Sequence, residues 1–258
     1  LAAVAGESEE ITMEMVAAAE RVAGFSLTDA ERRDIIKRLN ALRDRYEFMR
    51  AVPIDNSVPP ALVFNPVPAG MSIPKGSGKP FRISRPRVSR PASEEELAFL
   101  PLISLSRLIE TRTVSSTELT GMYLSRLKKY DPLLHCVVTL TEEMALRQAG
   151  QADREIAAGK YRGLLHGIPW GVKDLFAVKG YPVTWGAEQY RGRTFDYDAT
   201  VVSRLEAAGA VLLAKLSTGR FASGENWFGG RTRNPWNPEQ GSSGSSAGPG
   251  ASTAAGLV

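Results

Sequence analysis

Two groups of residues in this sequence could do chemistry together, a lysine at the end of an apolar run and a loop crowded with serines. Lys173 follows the largely apolar, glycine-flanked segment 165–172, which has the character of a buried strand. A lysine in an apolar pocket loses the hydration of its ammonium, so its pKa falls and the neutral amine becomes a usable base. Residues 241–246 read Gly-Ser-Ser-Gly-Ser-Ser, and a hydroxyl within reach of that amine can be activated or can pass a proton onward. The pattern is typical of a Ser-Lys catalytic set, which needs no histidine.

Each of these groups also has a purely structural interpretation. A serine- and glycine-rich tract can be a flexible linker. Against this, residues 251–258 (Ala-Ser-Thr-Ala-Ala-Gly-Leu-Val) follow directly and have the small volume and low side-chain entropy of a packed helix. Lys173, in turn, could be a surface lysine that pairs with the neighbouring carboxylate of Asp174. The two interpretations differ in whether the lysine contacts a carboxylate or a serine hydroxyl.

Four blocks of the sequence resemble the amidase signature enzymes, in the order of that family and near its spacing. The resemblance covers roughly residues 93–258. It implies a soluble hydrolase that cleaves a small-molecule carboxylic amide to an acid and an amine or ammonia through a Ser-Ser-Lys triad, with no metal and no organic cofactor. The blocks are residues 167–174 (Gly-Ile-Pro-Trp-Gly-Val-Lys-Asp), 198–215 (Asp-Ala-Thr-Val-Val-Ser-Arg-Leu-Glu-Ala-Ala-Gly-Ala-Val-Leu-Leu-Ala-Lys), 232–238 (Thr-Arg-Asn-Pro-Trp-Asn-Pro) and 244–248 (Gly-Ser-Ser-Ala-Gly).

Carried over residue by residue, the resemblance assigns roles to individual residues. Lys173 would be the base, and Ser245 would be the relay serine, which follows a cis peptide in the family. Gly244 precedes the relay serine, and Ser246 would support it as a hydrogen-bonding neighbour. The segment near Ala222 would form part of the pocket for the acyl group of the substrate.

The serine tract offers two frames for the relay serine, beginning at Ser242 and at Ser245. Only the frame at Ser245 places the ending 254–258, Ala-Ala-Gly-Leu-Val, in register with the family without a gap, so Ser242 is the fallback. Ala247 stands where the family usually has glycine, a change that leaves the hydroxyls in place. Arg220 falls where the family often has glutamate, so the resemblance does not indicate which amide is cleaved.

The acylated serine of the family lies beyond the relay serine, past Val258. The sequence therefore predicts that residues 1–258 are the N-terminal portion of a longer amidase or one piece of a split one, incomplete and inactive alone. The missing C-terminal part would then be a continuation of the chain or a separate segment. Two alternatives stay open. One is an A-type subunit of an amidotransferase that uses released ammonia on a charged tRNA, and the other is a non-catalytic interaction piece that lacks the nucleophile.

The candidate site must be positioned by regular secondary structure. From Ser93 onward, the sequence pattern predicts helices first and then strands and helices in alternation. Such alternation predicts an α/β fold, with a mixed β-sheet core flanked by helices and with a helical N-terminal extension. The expected strands are 134–140, 168–172 and 210–214, and the expected helices are a first one from residue 93, 104–110, one from 116 that ends before Asp131, 142–158 and 200–208.

Three regions are predicted along the chain. Residues 1–52 form a helical N-terminal module, which would pack against the main domain or form the contacts of a homodimer. Residues 53–92 form a linker, because nine of the 16 prolines fall there and proline fixes φ and removes an amide donor. Residues 93–258 form the N-terminal part of the amidase signature domain.

The helical module is predicted from apolar residues that recur at helical spacing between Ile11 and Arg50. Gly24 closes the first segment, because glycine adopts the left-handed conformation that ends many helices. Thr28 and Glu31 have the spacing of a capping box and open the second segment. The pattern therefore predicts a pair of antiparallel helices.

Composition argues against several other classes of function. A net charge of +4, with acidic and basic residues interspersed, gives no case for a nucleic-acid partner. The single cysteine, Cys136, rules out an internal disulfide and is too little for a metal cluster. No apolar run approaches the length that spans a bilayer. His135 and His166 have no cysteine or carboxylate at ligand spacing, so we expect them to serve packing or turn geometry.

The location that we predict is the cytoplasm. Residues 1–6, Leu-Ala-Ala-Val-Ala-Gly, allow the alternative of a processed export signal. They lack an initiating methionine and a basic lead-in, so export is unsupported.

Overall fold

The computed structural model describes residues 10–55, 57–68, 70–73, 76 and 83–258. The chain divides into two compact units, Leu1–Lys79 and Pro80–Val258. The export-signal alternative concerns residues 1–6, which lie outside the described residues. Within the described part of the chain, none of the helices combines the length and the apolar character that crossing a membrane requires.

The first unit contains a pair of helices, α1 (Met13–Ala23) and α2 (Asp29–Ala51). Gly24 ends α1 with a φ of 75°, in the left-handed region. The Thr28 hydroxyl accepts a hydrogen bond from the Glu31 amide, and the Glu31 carboxylate accepts one from the Thr28 amide at 2.7 Å. These contacts confirm the predicted helical pair and its capping box. The residues described after α2 in this unit form no helix or strand, as the prolines predict.

The second unit alternates helices with short strands. The helices are α3 (Glu94–Ala98), α4 (Leu102–Glu110), α5 (Ser116–Leu134), α6 (Glu142–Ala157), α7 (Thr200–Ala207) and α8 (Ala247–Ala254), with 3-10 turns at Glu188–Tyr190 and Arg220–Ala222. The strands are β1 (Val137–Leu140), β2 (Pro169–Lys173), β3 (Val211–Leu216), β4 (Asn226–Trp227) and β5 (Gly230–Arg231).

Strands β1, β2 and β3 form the main sheet of the described residues 83–258, in the order β1-β3-β2. Strand β3 runs antiparallel to β1 and parallel to β2, so the sheet is mixed, as predicted. All six residues of β3 are buried, which identifies it as the central strand that the sequence places near residues 210–214. Strands β4 and β5 form a separate hairpin.

The core of the second unit lies between the sheet and the helices α5 and α6. Leu119 and Leu127 of α5, Ala145 and Ala149 of α6, and Leu213 of β3 all belong to one buried apolar cluster. Both alanines of α6 are fully buried, and this helix packs against α5 and β3. Burial of apolar surface of this kind is the main term that holds the sheet in place.

The expected end of α5 before Asp131 is wrong. The helix continues through Pro132, which lies in the last turn, where its missing N–H costs a single intrahelical hydrogen bond. His135 ends the helix in the left-handed region, with a φ of 51°, and its amide donates to the Asp131 carbonyl at 2.8 Å. Oδ1 of Asp131 accepts the two amides that follow the turn, at 2.7 and 2.8 Å. Strand β1 consequently begins at Val137 and not at residue 134.

Candidate active site

Lys173 is the last residue of β2, and the sheet sets its position. It lies opposite Leu216 at the end of β3. Two residues earlier, Gly171 allows the strands to approach closely, because a Cβ built there would lie only 2.5 Å from the Leu216 side chain. The expected strand with a lysine at its end is therefore confirmed, and that strand pairs with the fully buried strand β3.

The serine loop, residues 241–246, is held by backbone hydrogen bonds on both sides. The Ser242 amide donates to the Thr232 carbonyl at 3.0 Å. The Ser245 carbonyl accepts from the Gly219 amide at 3.2 Å, and just past the loop the Gly248 amide donates to the Ser217 carbonyl at 2.9 Å. The peptide bond between Gly244 and Ser245 is cis, as the resemblance implies for the relay serine. A loop fixed in this way is not a flexible linker.

Two glycines let this loop pack against its neighbours. A Cβ on Gly244 would collide with the carbonyl of Gly224, and a Cβ on Gly248 would collide with the Ser217 backbone. Ala247 lies between them and is 1% exposed, so its methyl group fits into the core at a position where the family usually has glycine.

The structure brings the predicted lysine and serines together. Lys173 Nζ donates to Ser245 Oγ at 2.9 Å and to Ser246 Oγ at 3.0 Å. Lys173 and Ser245 are half-buried, whereas Ser246 is exposed. Helix α8 begins directly after Ser246, so its N-terminus faces the same contact.

The surroundings of Lys173 favour a neutral amine. Partial burial removes water from the ammonium and lowers the pKa of Lys173. Among the described residues, no carboxylate forms an ion pair with Lys173. The arrangement can therefore serve as a general base that takes a proton from a hydroxyl.

The alternative in which Lys173 pairs with Asp174 is wrong. Asp174 is fully buried, and its Oδ1 lies 2.6 Å from Nζ of Lys215. Oδ1 makes no well-aligned hydrogen bond, but at this distance the two groups form an ion pair. Oδ2 accepts the amide of Thr184 at 3.0 Å and also its hydroxyl. The carboxylate next to the candidate base is thus taken up by other residues.

The remaining candidate residues differ in how close they lie to this contact. Ser242, the fallback relay serine, donates its hydroxyl to the Ser243 carbonyl at 2.9 Å. Ala222 is exposed in the 3-10 turn Arg220–Ala222, with a φ of 61°, and its amide donates to the Gly219 carbonyl at 2.8 Å. Because the Gly219 amide binds Ser245, this turn adjoins the serine loop. The role of Ala222 in an acyl pocket stays a prediction.

The sequence did not indicate the buried residues that support the serine loop. The Ser217 and Thr232 hydroxyls are 2.6 Å apart and fully buried, and Thr232 also donates to the His135 carbonyl at 2.9 Å. Thr232 opens one of the four blocks of the resemblance, but that position alone does not predict a partner. The Lys215–Asp174 ion pair was likewise not predicted, although both residues end a block.

Both histidines have structural positions. His135 ends α5, and its carbonyl accepts the Trp227 indole N–H at 3.2 Å. His166 is fully buried, and its Nδ1 accepts the Arg162 amide at 3.0 Å. Burial lowers the pKa of His166. Among the described residues, no group of histidine, cysteine and carboxylate side chains is arranged to hold a metal ion.

Comparison with known proteins finds similarity over the region of the chain that contains these residues. A family model described as amidase matches residues 118–258. The A-type subunit of the glutamyl-tRNA(Gln) amidotransferase of Thermosynechococcus vestitus is 40% identical over 154 residues, which cover 58% of this chain and 32% of that protein. The solved peptide amidase of Stenotrophomonas maltophilia is 34% identical, with a TM-score of 0.58 over 62% of this chain and 35% of that one.

A second solved structure extends the comparison. It is a bacterial aryl acylamidase that belongs to the amidase signature enzymes, with 26% identity and a TM-score of 0.59 over 62% of this chain and 34% of that one. These likenesses confirm the α/β architecture expected from the sequence. The chain spans about a third of the length of each of these relatives. Lys173 and Ser245 both lie inside the matched residues 118–258.

Proposed function

Because this chain belongs to the amidase signature family, we propose that it carries the lysine and the relay serine of an enzyme that hydrolyses a carboxylic amide to an acid and an amine or ammonia. The observation that supports this most directly is the 2.9 Å contact between Lys173 Nζ and Ser245 Oγ. Ser246 Oγ, at 3.0 Å from the same amine, is the supporting neighbour. The partners of Lys173 are hydroxyls, so its neutral form can accept a proton from them.

In the proposed reaction, neutral Lys173 accepts the proton of Ser245, and Ser245 accepts the proton of a nucleophilic serine. The resemblance implies that this nucleophile lies past Val258. Its oxygen bonds to the amide carbonyl carbon, and the carbonyl oxygen takes up the negative charge. When the tetrahedral intermediate collapses, the C–N bond breaks and the leaving nitrogen receives the proton that Lys173 returns through Ser245.

The resulting acyl ester is then hydrolysed. Water attacks the ester carbon while its proton passes through Ser245 to Lys173, and the C–O bond to the serine breaks. The acid is released and the nucleophilic serine regains a proton, so Lys173 ends neutral, as it began. This scheme uses no metal and no organic cofactor.

The test is hydrolysis of short aliphatic, aryl and peptide amides by the complete enzyme. Lys173→Ala should lower kcat by about 10²–10⁴-fold, the usual contribution of a positioned general base, while circular dichroism shows an intact fold. The matched control is Lys179→Ala, which removes an exposed lysine that pairs with Asp196 at 2.8 Å. Turnover by the Lys173→Ala enzyme at the rate of the control would refute the assignment.

A second candidate is an A-type subunit of an amidotransferase, because relatives that are 40–43% identical to this chain are named as that subunit of glutamyl-tRNA(Gln) amidotransferase. Such a protein would release ammonia for use on a charged tRNA and would need partner subunits. The two candidates differ in one measurement. A free-standing amidase hydrolyses simple amides with no other protein present, whereas the amidotransferase component should turn over glutamine and depend on partners and charged tRNA.

Three finer predictions about partners and location go with the proposal and await their own tests. They are a cytoplasmic enzyme, a homodimer, and a C-terminal part that is either a continuation of the chain or a separate segment.

A further inference from the structure

The residue that follows the candidate base is fixed at each of its polar positions. The Asp174 amide donates to the Leu216 carbonyl at 2.8 Å, and the Asp174 carbonyl accepts the Trp185 amide at 3.3 Å. Its carboxylate accepts both the amide and the hydroxyl of Thr184 and lies 2.6 Å from Lys215 Nζ. The backbone on the C-terminal side of Lys173 is therefore held in place by Asp174, which has no exposed surface.

Stability alone does not account for the ion pair at the centre of this arrangement. The side chains of Lys215 and Asp174 are both 0% exposed. Two charges removed from water cost about as much as their attraction returns, and apolar residues of similar size often stabilise a protein more. Lys215 also donates to the Pro182 carbonyl, which adds a second fixed partner. A pair of this kind can hold a particular geometry even where it adds little net stability.

The same contacts reach the serine side of the candidate site. Thr184 Oγ1 accepts the Gly186 amide at 3.1 Å. Gly186 packs against the backbone at Gly219, since a Cβ built on Gly186 would lie 3.2 Å from the Gly219 carbonyl carbon and would collide with the Thr218 carbonyl oxygen. The Gly219 amide in turn donates to the Ser245 carbonyl at 3.2 Å. One buried network thus touches the residue after the lysine and the loop that holds the serine.

We propose that the Lys215–Asp174 ion pair positions Lys173 against Ser245. Asp174 holds the end of β2 from one side, and Thr184 with Gly186 holds the loop that binds the Ser245 backbone from the other. Neither Lys215 nor Asp174 touches the reacting atoms, so both are positioning residues. This role deepens the amidase function proposed above and rests on it, but the placement of the Lys173 amine can be measured without turnover.

The experiment compares how readily each lysine is acetylated by trace amounts of acetic anhydride over a series of pH values, with peptide mass spectrometry as the readout. The variant is Lys215→Met/Asp174→Asn, which removes both charges of the pair together and so leaves no unpaired charge in the core. If the pair positions Lys173, the freed amine becomes better solvated and its labelling midpoint rises. A rise of about one pH unit is a tenfold smaller neutral fraction below the midpoint.

The matched control is Arg162→Met/Glu155→Gln, which removes another ion pair of the second unit, with a separation of 2.6 Å. It should leave the Lys173 midpoint in place even if it lowers the melting temperature. A merely structural role for Lys215 and Asp174 predicts the same outcome for both double variants, that is, a lower melting temperature and an unmoved midpoint.

A pair of single substitutions decides the matter if the double variant does not fold. Thr184→Val removes the hydroxyl that binds Asp174 and keeps the shape, whereas Thr184→Ser keeps the hydroxyl. The proposal expects the valine variant to raise the Lys173 midpoint and the serine variant to preserve it. Folded Thr184→Val protein with an unchanged midpoint would overturn the positioning role. Failure of the wild-type enzyme to hydrolyse any amide would instead sink the proposed function and leave the labelling result standing.

Discussion

Lys173 and Lys215 lie on adjacent strands of one sheet, yet the structure gives them different partners. Lys215 is fully buried and lies 2.6 Å from a carboxylate. Lys173 is half-buried and contacts two serine hydroxyls at 2.9 and 3.0 Å. The more deeply buried lysine is the one with an anionic partner, and the more accessible one has none among the described residues.

This difference indicates that deeper burial does not by itself make a lysine a better base. Burial lowers the pKa of both lysines, but in Lys215 the attraction of Asp174 opposes that effect. A lysine tied to a carboxylate keeps its proton for the ion pair, whereas one held by hydroxyls can exchange a proton with them. The partner, more than the burial, therefore decides whether the amine can exchange a proton, as Lys173 can with its hydroxyls, or holds it in an ion pair, as Lys215 does.

The largest effect should come from removing the hydroxyl that distinguishes Lys173. Ser245→Ala interrupts the proposed proton relay, and we expect kcat for amide hydrolysis to fall by about 10²–10⁴-fold. Ser242→Ala is the matched control in the same loop, since its hydroxyl donates to the Ser243 carbonyl and, among the described residues, forms no hydrogen bond with Lys173. Steady-state kinetics of the complete enzyme provide the measurement. If Ser242→Ala proves the more damaging of the two, the fallback frame is the correct one.

An intermediate effect should come from making Lys173 resemble Lys215. Ser246→Asp places a carboxylate where a hydroxyl now lies 3.0 Å from the amine. An opposite charge stabilises the ammonium, so the pKa of Lys173 should rise by about one unit or more. In the proposed mechanism the rate rises with pH as Lys173 loses its proton, so the rising limb should move to higher pH, and the rate below it should fall about tenfold.

Ser246→Asn is the control for that substitution, because asparagine has the same shape and is also a good residue at a helix N-terminus but carries no charge. Its pH–rate profile should keep the position of the wild-type profile. Equal profiles for the aspartate and asparagine variants would mean that the charge of its partner does not set the proton affinity of Lys173, and the contrast with Lys215 would lose its meaning.

The site could be predicted from the sequence to the extent that it depends on residues inside the blocks of the resemblance. Lys173 ends a strand and Ser245 lies in the serine-rich loop just before a small-residue helix, and both patterns are local. The partner of Asp174 was not accessible in this way. Because Lys173 and Asp174 are neighbours in sequence, an ion pair between them is as reasonable an expectation as one with a distant residue. The actual partner of Asp174 is Lys215, which lies on another strand, and only the fold determines the register of that strand.

The end of α5 illustrates the same limit for secondary structure. Proline at position 132 predicts that the helix stops before it, but the helix ends only at Leu134, and the Asp131 carboxylate accepts the two amides beyond the turn. A side chain that binds amides beyond the end of its own helix has no periodic signal. Helices with local signals, such as the capping box at Thr28, were predicted correctly.

The smallest expected effect comes from weakening the support of the serine loop. We expect this support to affect the stability of the fold and not the labelling midpoint of Lys173. Thr232→Val removes the hydroxyl that binds Ser217 at 2.6 Å and the His135 carbonyl at 2.9 Å, and leaves the buried Ser217 hydroxyl without this partner. The free energy of unfolding, measured in urea, should fall by about 1–3 kcal/mol. Thr232→Ser keeps the hydroxyl and should lose less.

The Lys173 labelling midpoint should stay in place in both variants, because the Ser242 amide still donates to the Thr232 carbonyl. A midpoint that rises in the valine variant alone would show that Lys173 depends on this support as well as on Lys215 and Asp174.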